Sequence, residues 1–295
     1  MNLLITGGSG FIGSALSSRL LKDGHKLVVL TRHPDAIKPQ IKSISDFEQL
    51  GSDDIFDVVI NLAGEPIANK RWNDQHKRQI LNSRIGTTEK LITYLTKIER
   101  KPQLLISGSA IGYYGIDRTN DVIDENSVSD DSFSSQLCQQ WEASALKAEA
   151  LGIRTCLLRT GIVLGKNGGA LSKMLPPFKM ALGGTIGHGK QWMPWIHLDD
   201  LIGIILQCIS NDSLKGPING TSPNPVINEE FTKKLGAALK RPTILPMPEI
   251  IVKLLMGQMG EELLLAGKRI LPVKVLDTGY EFEYKKLEQA LKDIV

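Results

Sequence analysis

The chain has 295 residues, 42% of them hydrophobic and 23% charged, the balance of a soluble globular protein built as one large domain or two closely joined ones. Its formal charge of +3, from 35 basic and 32 acidic residues, is small and dispersed, so neither nucleic acid nor a membrane is expected as a partner. Three scattered cysteines without a C-x-x-C read as reduced thiols of a cytoplasmic protein, with no metal site, and no apolar run reaches the roughly 18 residues of a spanning helix.

The apolar run Leu3-Leu4-Ile5 predicts a buried first strand, so early in the chain that no targeting peptide is expected ahead of it. It ends in T-G-G-S-G-F-I-G (Thr6 to Gly13), and Phe11, Ile12, Ala15, Leu16 and Leu20 open an amphipathic helix. A glycine turn between strand and helix is suited to a pyrophosphate. Gly7 allows the tight turn, Gly10 lets the backbone approach, and Gly13 lets helix and strand pack closely. The amides of Phe11 and Ile12 then lie at the positive end of the helix. A second strand, Lys26 to Leu30, ends in Thr31-Arg32-His33. An acid about 20 residues past the glycines would take the ribose 2′-hydroxyl of NAD(H). Arg32 stands there instead and suits a 2′-phosphate, with Thr31 adding a hydroxyl, so NADP(H) is the expected cofactor.

After a polar stretch, Pro34 to Asp54, with a weak strand near Ile41 to Ile44, the run Phe56 to Leu62 predicts a buried strand closing on Ala63-Gly64-Glu65-Pro66. Leu62, Ala63 and Gly64 are placed beside adenosine and ribose. A helix is expected from about Asn73 to Ile98, on which Arg84 either reaches back to a phosphate or forms a surface ion pair. The next strand, Gln103 to Ile106, ends in Ser107-Gly108-Ser109-Ala110, followed by Tyr113-Tyr114-Gly115. A helix from Ser134 to Leu151 and a strand from Thr155 to Leu158 follow, with Thr160 and Gly161 assigned to the nicotinamide side. Strands alternating with helices imply an α/β, Rossmann-type doubly wound parallel sheet. Its strand ends converge on one crevice.

Beyond Gly165 the rhythm loosens. Residues 1–165 are expected to form the cofactor domain, with 195–222 returning to it through a helix from Asp199 to Ile209 and a strand at Pro217 to Asn219. Residues 166–295 are expected to form a smaller, mostly helical substrate or lid region, with helices at Asn228 to Leu239, two Pro-introduced segments, and Tyr284 to Ile294. Trp192-Met193-Pro194-Trp195 is either a substrate-facing loop or core packing.

Together with Asn61–Gly64, Arg159–Gly165 and Trp195–Asp200, these segments resemble the extended short-chain dehydrogenase/reductase superfamily. Asn61–Pro66, Arg71-Trp72-Asn73, Ser83-Arg84, Trp141-Glu142, Pro194–His197 and Thr278-Gly279-Tyr280 resemble its "epimerase family" branch, across essentially the whole chain. The resemblance implies a small-molecule substrate and matches Ser109 to the serine that orients a substrate oxygen. It also implies a Tyr-x-x-x-Lys pair one helical turn apart, the lysine lowering the tyrosine pKa. With Glu142 as anchor, Ser134 and Cys138 hold those positions, and the pair is absent between Phe133 and Leu151.

Tyr113 and Tyr114 are therefore the candidate proton donors beside Ser109, the alternative for either being a turn or core position. Cys138 is either a nucleophile or an inert buried thiol. His197 with Asp199 is either an acid/base pair or a helix start, and Glu65 is a further candidate base. Two functions follow: an NADP(H)-binding oxidoreductase or nucleoside-sugar-epimerase-like enzyme with a non-standard active site, or an inactive NADP(H)-sensing protein.

Overall fold

The computed structural model describes residues 1–51, 54–116, 120–166 and 168–295. The chain runs β1 (Asn2–Thr6), α1 (Phe11–Lys22), β2 (Lys26–Leu30), β3 (Lys42–Ile44), β4 (Val58–Asn61), α2 (Asp74–Leu81), α3 (Thr87–Lys97), β5 (Leu104–Ala110), β6 (Val122–Ile123), α4 (Phe133–Leu146), β7 (Arg154–Thr160) and β8 (Ile162–Leu164). It continues with α5 (Leu171–Lys179), β9 (Trp192–Met193), β10 (Trp195–His197), α6 (Leu198–Ser210), β11 (Gly216–Gly220), β12 (Val226–Ile227) and α7 (Asn228–Leu239). The C-terminal part holds α8 (Glu249–Met256), α9 (Gln258–Gly260), β13 (Arg269–Ile270), α10 (Val273–Asp277) and α11 (Leu287–Ile294).

Seven strands form one parallel sheet in the order β11-β7-β5-β4-β1-β2-β3. The order reverses between β1 and β4, and the carboxyl ends of a sheet part at such a point to leave a crevice. Alternation along each strand explains why both faces are covered. Leu3 and Ile5 of β1, Val58 and Ile60 of β4 and Leu104 and Ile106 of β5 face a core shared with α1 and α6. Leu4, Val59 and Leu105 face the opposite core, with Leu91 and Leu95 of α3 and Ala145 of α4.

The helix expected across Asn73 to Ile98 is divided. Asn73 caps α2 by accepting from the His76 amide at 2.7 Å, and a π-helical turn, Asn82–Gly86, separates α2 from α3. That turn carries Arg84; such widened turns often lie at functional sites. The helix expected from Ser134 to Leu151 ends as α4 at Leu146 and tightens into a 3₁₀ segment over Lys147–Leu151. The last helix begins at Leu287 rather than Tyr284, and the Tyr284 amide donates to the Asp200 carboxylate at 2.9 Å.

Residues beyond β8 contribute to both parts of the molecule. β11 joins the main sheet beside β7 and α6 packs into the first core, whereas β10 pairs with β8 outside that sheet. A separate core gathers Leu171 and Phe178 of α5, Trp195, Phe231 and Leu235 of α7, and Leu287 and Leu291 of α11. Trp195 is therefore core, its indole donating to the Asn224 carbonyl at 3.0 Å. A fourth cluster, with Trp72, Ile80, Leu137 and Met259, joins the segment after β4 to the C-terminal helices.

Candidate functional site

The turn after β1 is shaped by contacts that exclude side chains. Gly7 has φ +72°, and a Cβ there would lie 2.5 Å from the Leu62 carbonyl oxygen. A Cβ on Gly13 would lie 2.3 Å from the Gly7 oxygen. Gly10 is the N-cap of α1 and offers no side chain, so the first amides of the helix, including those of Phe11 and Ile12, keep open donors. The Phe11 ring packs where Cβ atoms on Gly165, Gly168 and Gly169 would otherwise be. Thr6 Oγ1 accepts from the Ala63 amide at 3.2 Å and donates to Asn61 Oδ1 at 2.5 Å, holding Leu62–Gly64 against the turn.

On the next strand, buried Thr31 contacts Ser9 Oγ at 3.1 Å through its hydroxyl, which also accepts from the His33 amide. The Arg32 side chain is 79% exposed, with one contact to Glu65 Oε2 at 3.5 Å. Glu65 therefore sits on the β2 side of the crevice. Its carboxylate is turned toward Arg32 in this structure, while its backbone follows β4, the strand next to the one that carries Ser109. Arg84 does not reach outward. It donates to the Glu65 carbonyl at 3.0 Å, lies against Gly64 and stacks 5.3 Å from the Trp141 ring, and burial lowers its pKa. It braces the 63–65 loop from a part-buried position and is not a surface ion pair.

Beneath the end of β5 lies a buried polar network. Ser109 Oγ donates to Glu142 Oε1 at 2.6 Å, and Arg159 grips both Glu142 oxygens at 2.8 Å from Nε and Nη2. Burial alone would pull the Arg159 guanidinium down, but Glu142 holds it above its ordinary pKa. Arg159 also donates to the Tyr114 hydroxyl at 3.0 Å, and Tyr114 donates to Asn219 Oδ1 at 2.7 Å. Tyr114 is fully buried, and burial pushes its pKa up to about 12. Its proton is committed to Asn219, so it fills the core position. Tyr113 differs: it is half-buried, the Arg159 guanidinium lies 3.4 Å from its ring, and its hydroxyl makes no hydrogen bond among the described residues.

Ser134 and Cys138 do face this strand end. Cys138 Sγ lies 3.6 Å from the Ala110 carbonyl, and burial raises its pKa to about 11, the behaviour of an inert thiol. The Ser134 hydroxyl and amide donate to Glu262 at 2.6 and 2.9 Å, so a carboxylate from the C-terminal part meets the start of α4. Thr160 lies beside Ala110 in register, half-buried, and Gly161 closes on Pro194, whose oxygen would be 2.4 Å from a Cβ. His197 caps α6 by accepting from the Asp199 amide at 3.2 Å and stacks on Tyr284 with centroids 3.8 Å apart. Helix start is its observed position, with the Asp199 carboxylate also 3.6 Å from the same ring nitrogen.

Sequence reasoning missed Arg159 and Glu262 and used Glu142 only as an anchor. An arginine inside the apolar strand T-C-L-L-R-T was a signal, since a charge so placed is buried only with a partner. Glu262 gave none.

The sheet order, its switch point and the glycine turn at the end of β1 define a Rossmann-type dinucleotide-binding protein. The NAD dependent epimerase/dehydratase family matches residues 3–219 and a domain of unknown function, DUF1731, matches residues 247–294; the chain belongs to that epimerase/dehydratase family. The chain is similar to the chloroplastic epimerase family protein SDR39U1 homolog of Arabidopsis thaliana, 41% identical over 100% of this chain and 87% of the relative. It is similar also to the human epimerase family protein SDR39U1, 35% identical over 100% of both chains. The crystal structure of that human protein (isoform 2) with NADPH superposes with a TM-score of 0.89 at 35% identity, covering 100% of this chain and 99% of that one. A UDP-glucuronic acid 4-epimerase from Bacillus cereus shares the fold, with a TM-score of 0.79 at 17% identity over 100% and 97% of the chains.

Proposed function

We propose that the crevice holds NADP(H) and that the chain is an oxidoreductase or nucleoside-sugar-epimerase-like enzyme that works without a Tyr-x-x-x-Lys pair. The observation that carries the cofactor reading is the open end of α1 above side-chain-free glycines, with the exposed Arg32 where an acid would select NAD(H). The presence of NADPH in the human relative supports it. Gly7, Gly10, Phe11, Ile12 and Gly13 would hold the pyrophosphate, Thr31 and Arg32 the 2′-phosphate, Leu62–Gly64 the adenosine ribose, and Thr160 and Gly161 the nicotinamide side. The bound cofactor supplies or accepts a hydride.

Because the Ser109 proton is committed to Glu142, its remaining lone pairs accept a hydrogen bond from a substrate hydroxyl. Tyr113, with a free hydroxyl beside a guanidinium, is the group assigned to the proton. A second reading, an inactive NADP(H) sensor, is favoured by Ser134 and Cys138 at the positions of the missing pair.

The test loads the full chain with NADPH or NADP⁺ and follows nicotinamide absorbance against carbonyl compounds, alcohols and nucleoside-diphosphate sugars. Turnover lost in Ser109→Ala and Tyr113→Phe supports the enzyme reading. Turnover that survives both substitutions overturns this assignment of residues. Tight NADPH binding with no turnover supports the sensor.

A further inference from the structure

The sequence from Thr243 to Met256, T-I-L-P-M-P-E-I-I-V-K-L-L-M, is almost wholly apolar, yet most of it is not in the core. On α8 only Val252 is buried, while Ile250 and Leu254 are 76% and 74% exposed and Ile251 and Leu255 lie beside them. Just before the helix, Ile244, Leu245 and Met247 are also exposed. Backbone hydrogen bonds from Leu245 to Gly183 and from Met247 to Thr185 fasten this segment to the loop after α5, where Met180 and Leu182 are exposed as well. The result is one apolar crest built from two chain segments. A patch of this kind on a folded protein marks an interaction surface.

Its charge surroundings identify the partner. Residues 166–198 and 231–248 contain no aspartate or glutamate. Lys179, Lys240 and Arg241 stand exposed at the edge of the crest, joined by the Arg241 side chain donating to the Lys179 carbonyl, and none of the three forms an ion pair among the described residues. Lys253 lies on α8 itself, paired with Glu249 and Glu261. A second copy of the chain would bring these three unpaired cations against their own kind. A partner helix would need a groove, whereas side chains three-quarters exposed stand out from the surface. Protruding aliphatic side chains rimmed by cations suit the interface of an anionic bilayer, the apolar tips entering the acyl boundary and the cations meeting the headgroups. Among the described residues no helix is long and apolar enough to cross a membrane.

We infer that the protein docks peripherally on anionic lipid surfaces through α8 and the 179–182 and 240–247 segments. The small net charge of the whole chain does not reveal this surface, because it sums all 35 basic and 32 acidic residues wherever they stand. The docking face is tied to the segment after β4: Arg71 donates to the Leu254 carbonyl, and Lys77 to Gln258.

The experiment is co-sedimentation of the full chain with phosphatidylcholine vesicles and with vesicles containing one-third phosphatidylglycerol. Binding is expected only to the anionic vesicles and should weaken with salt. The pair Lys240→Ala/Arg241→Ala should lose on the order of twentyfold in affinity, from about fivefold for each cation near an anionic surface. Ile250→Ser/Leu254→Ser should lose at least as much, with an unchanged circular dichroism melt to show that the fold is kept. Failure to sediment with anionic vesicles, or binding indifferent to both variants, overturns the inference. So does a lipid-free dimer in sedimentation equilibrium that the Ile250/Leu254 variant dissolves, which would assign the crest to self-association.

Discussion

Replacing Arg32 by alanine is the most direct probe of cofactor choice. Among the described residues the guanidinium has one ion-pair partner, Glu65 at 3.5 Å, and is 79% exposed, so that contact is worth no more than about 0.2–1 kcal/mol. Engaging a 2′-phosphate would replace it with charge-assisted hydrogen bonds worth about 1.5–3 kcal/mol. The net gain from Arg32 is then about 1–2 kcal/mol, so Arg32→Ala should weaken NADPH binding by roughly 5- to 30-fold. NADH, which has no 2′-phosphate, should change by less than about twofold. Because the site is open to solvent, the difference should shrink as salt is raised. Glu65→Gln should act in the opposite sense, freeing Arg32 and tightening NADPH by up to about fivefold. Quenching of intrinsic fluorescence, titrated with both cofactors at low and high salt, reads all of these. Equal affinity of the unaltered protein for NADPH and NADH, or an Arg32→Ala variant with its preference intact, would refute the assignment.

Gly13→Ala places a Cβ 2.3 Å from a backbone oxygen that cannot move aside, so it should cost about 1–3 kcal/mol in urea unfolding and remove most NADPH binding. Glu142→Gln leaves Arg159, 2% exposed, as an unpaired buried charge, and a loss of about 3–5 kcal/mol is expected; a loss below about 1 kcal/mol would show that the pair is solvated. His197 has its pKa lowered chiefly by burial, so the unfolded chain takes up its proton first as pH falls. Its contribution to stability is complete above the ordinary histidine value near 6.5 and is lost as pH drops through that value toward the folded one. The melting temperature of His197→Gln should therefore depend less on pH below about 6.5 than that of the unaltered chain; identical slopes would count against the linkage.

The crevice was legible in the sequence because its parts are local. Each strand ends in its own glycines or small residues, and Leu3-Leu4-Ile5 followed by Thr6–Gly13 needs no distant partner to be read. The network under β5 was not legible, since Glu142, Arg159, Tyr114 and Asn219 come from four elements and meet only through the register of β5, β7 and β11. The division of the helix at Asn82–Gly86 was not legible either, since the helical spacing was read from Ile85 onward, at and beyond the widened turn. Arg84 stands on that turn. The π turn directs its side chain along the 63–65 loop.

The Phe11 ring has a consequence for how the site can be altered. It is the first residue of α1, and it fills space that Gly165, Gly168 and Gly169 leave free after β8. Any β-carbon at those three positions would push against the same residue whose amide is proposed to meet the pyrophosphate. The loop after β8 therefore acts as a gauge for the start of α1. Redesign of that loop would be felt first as a change in phosphate affinity, in a part of the chain more than 150 residues away.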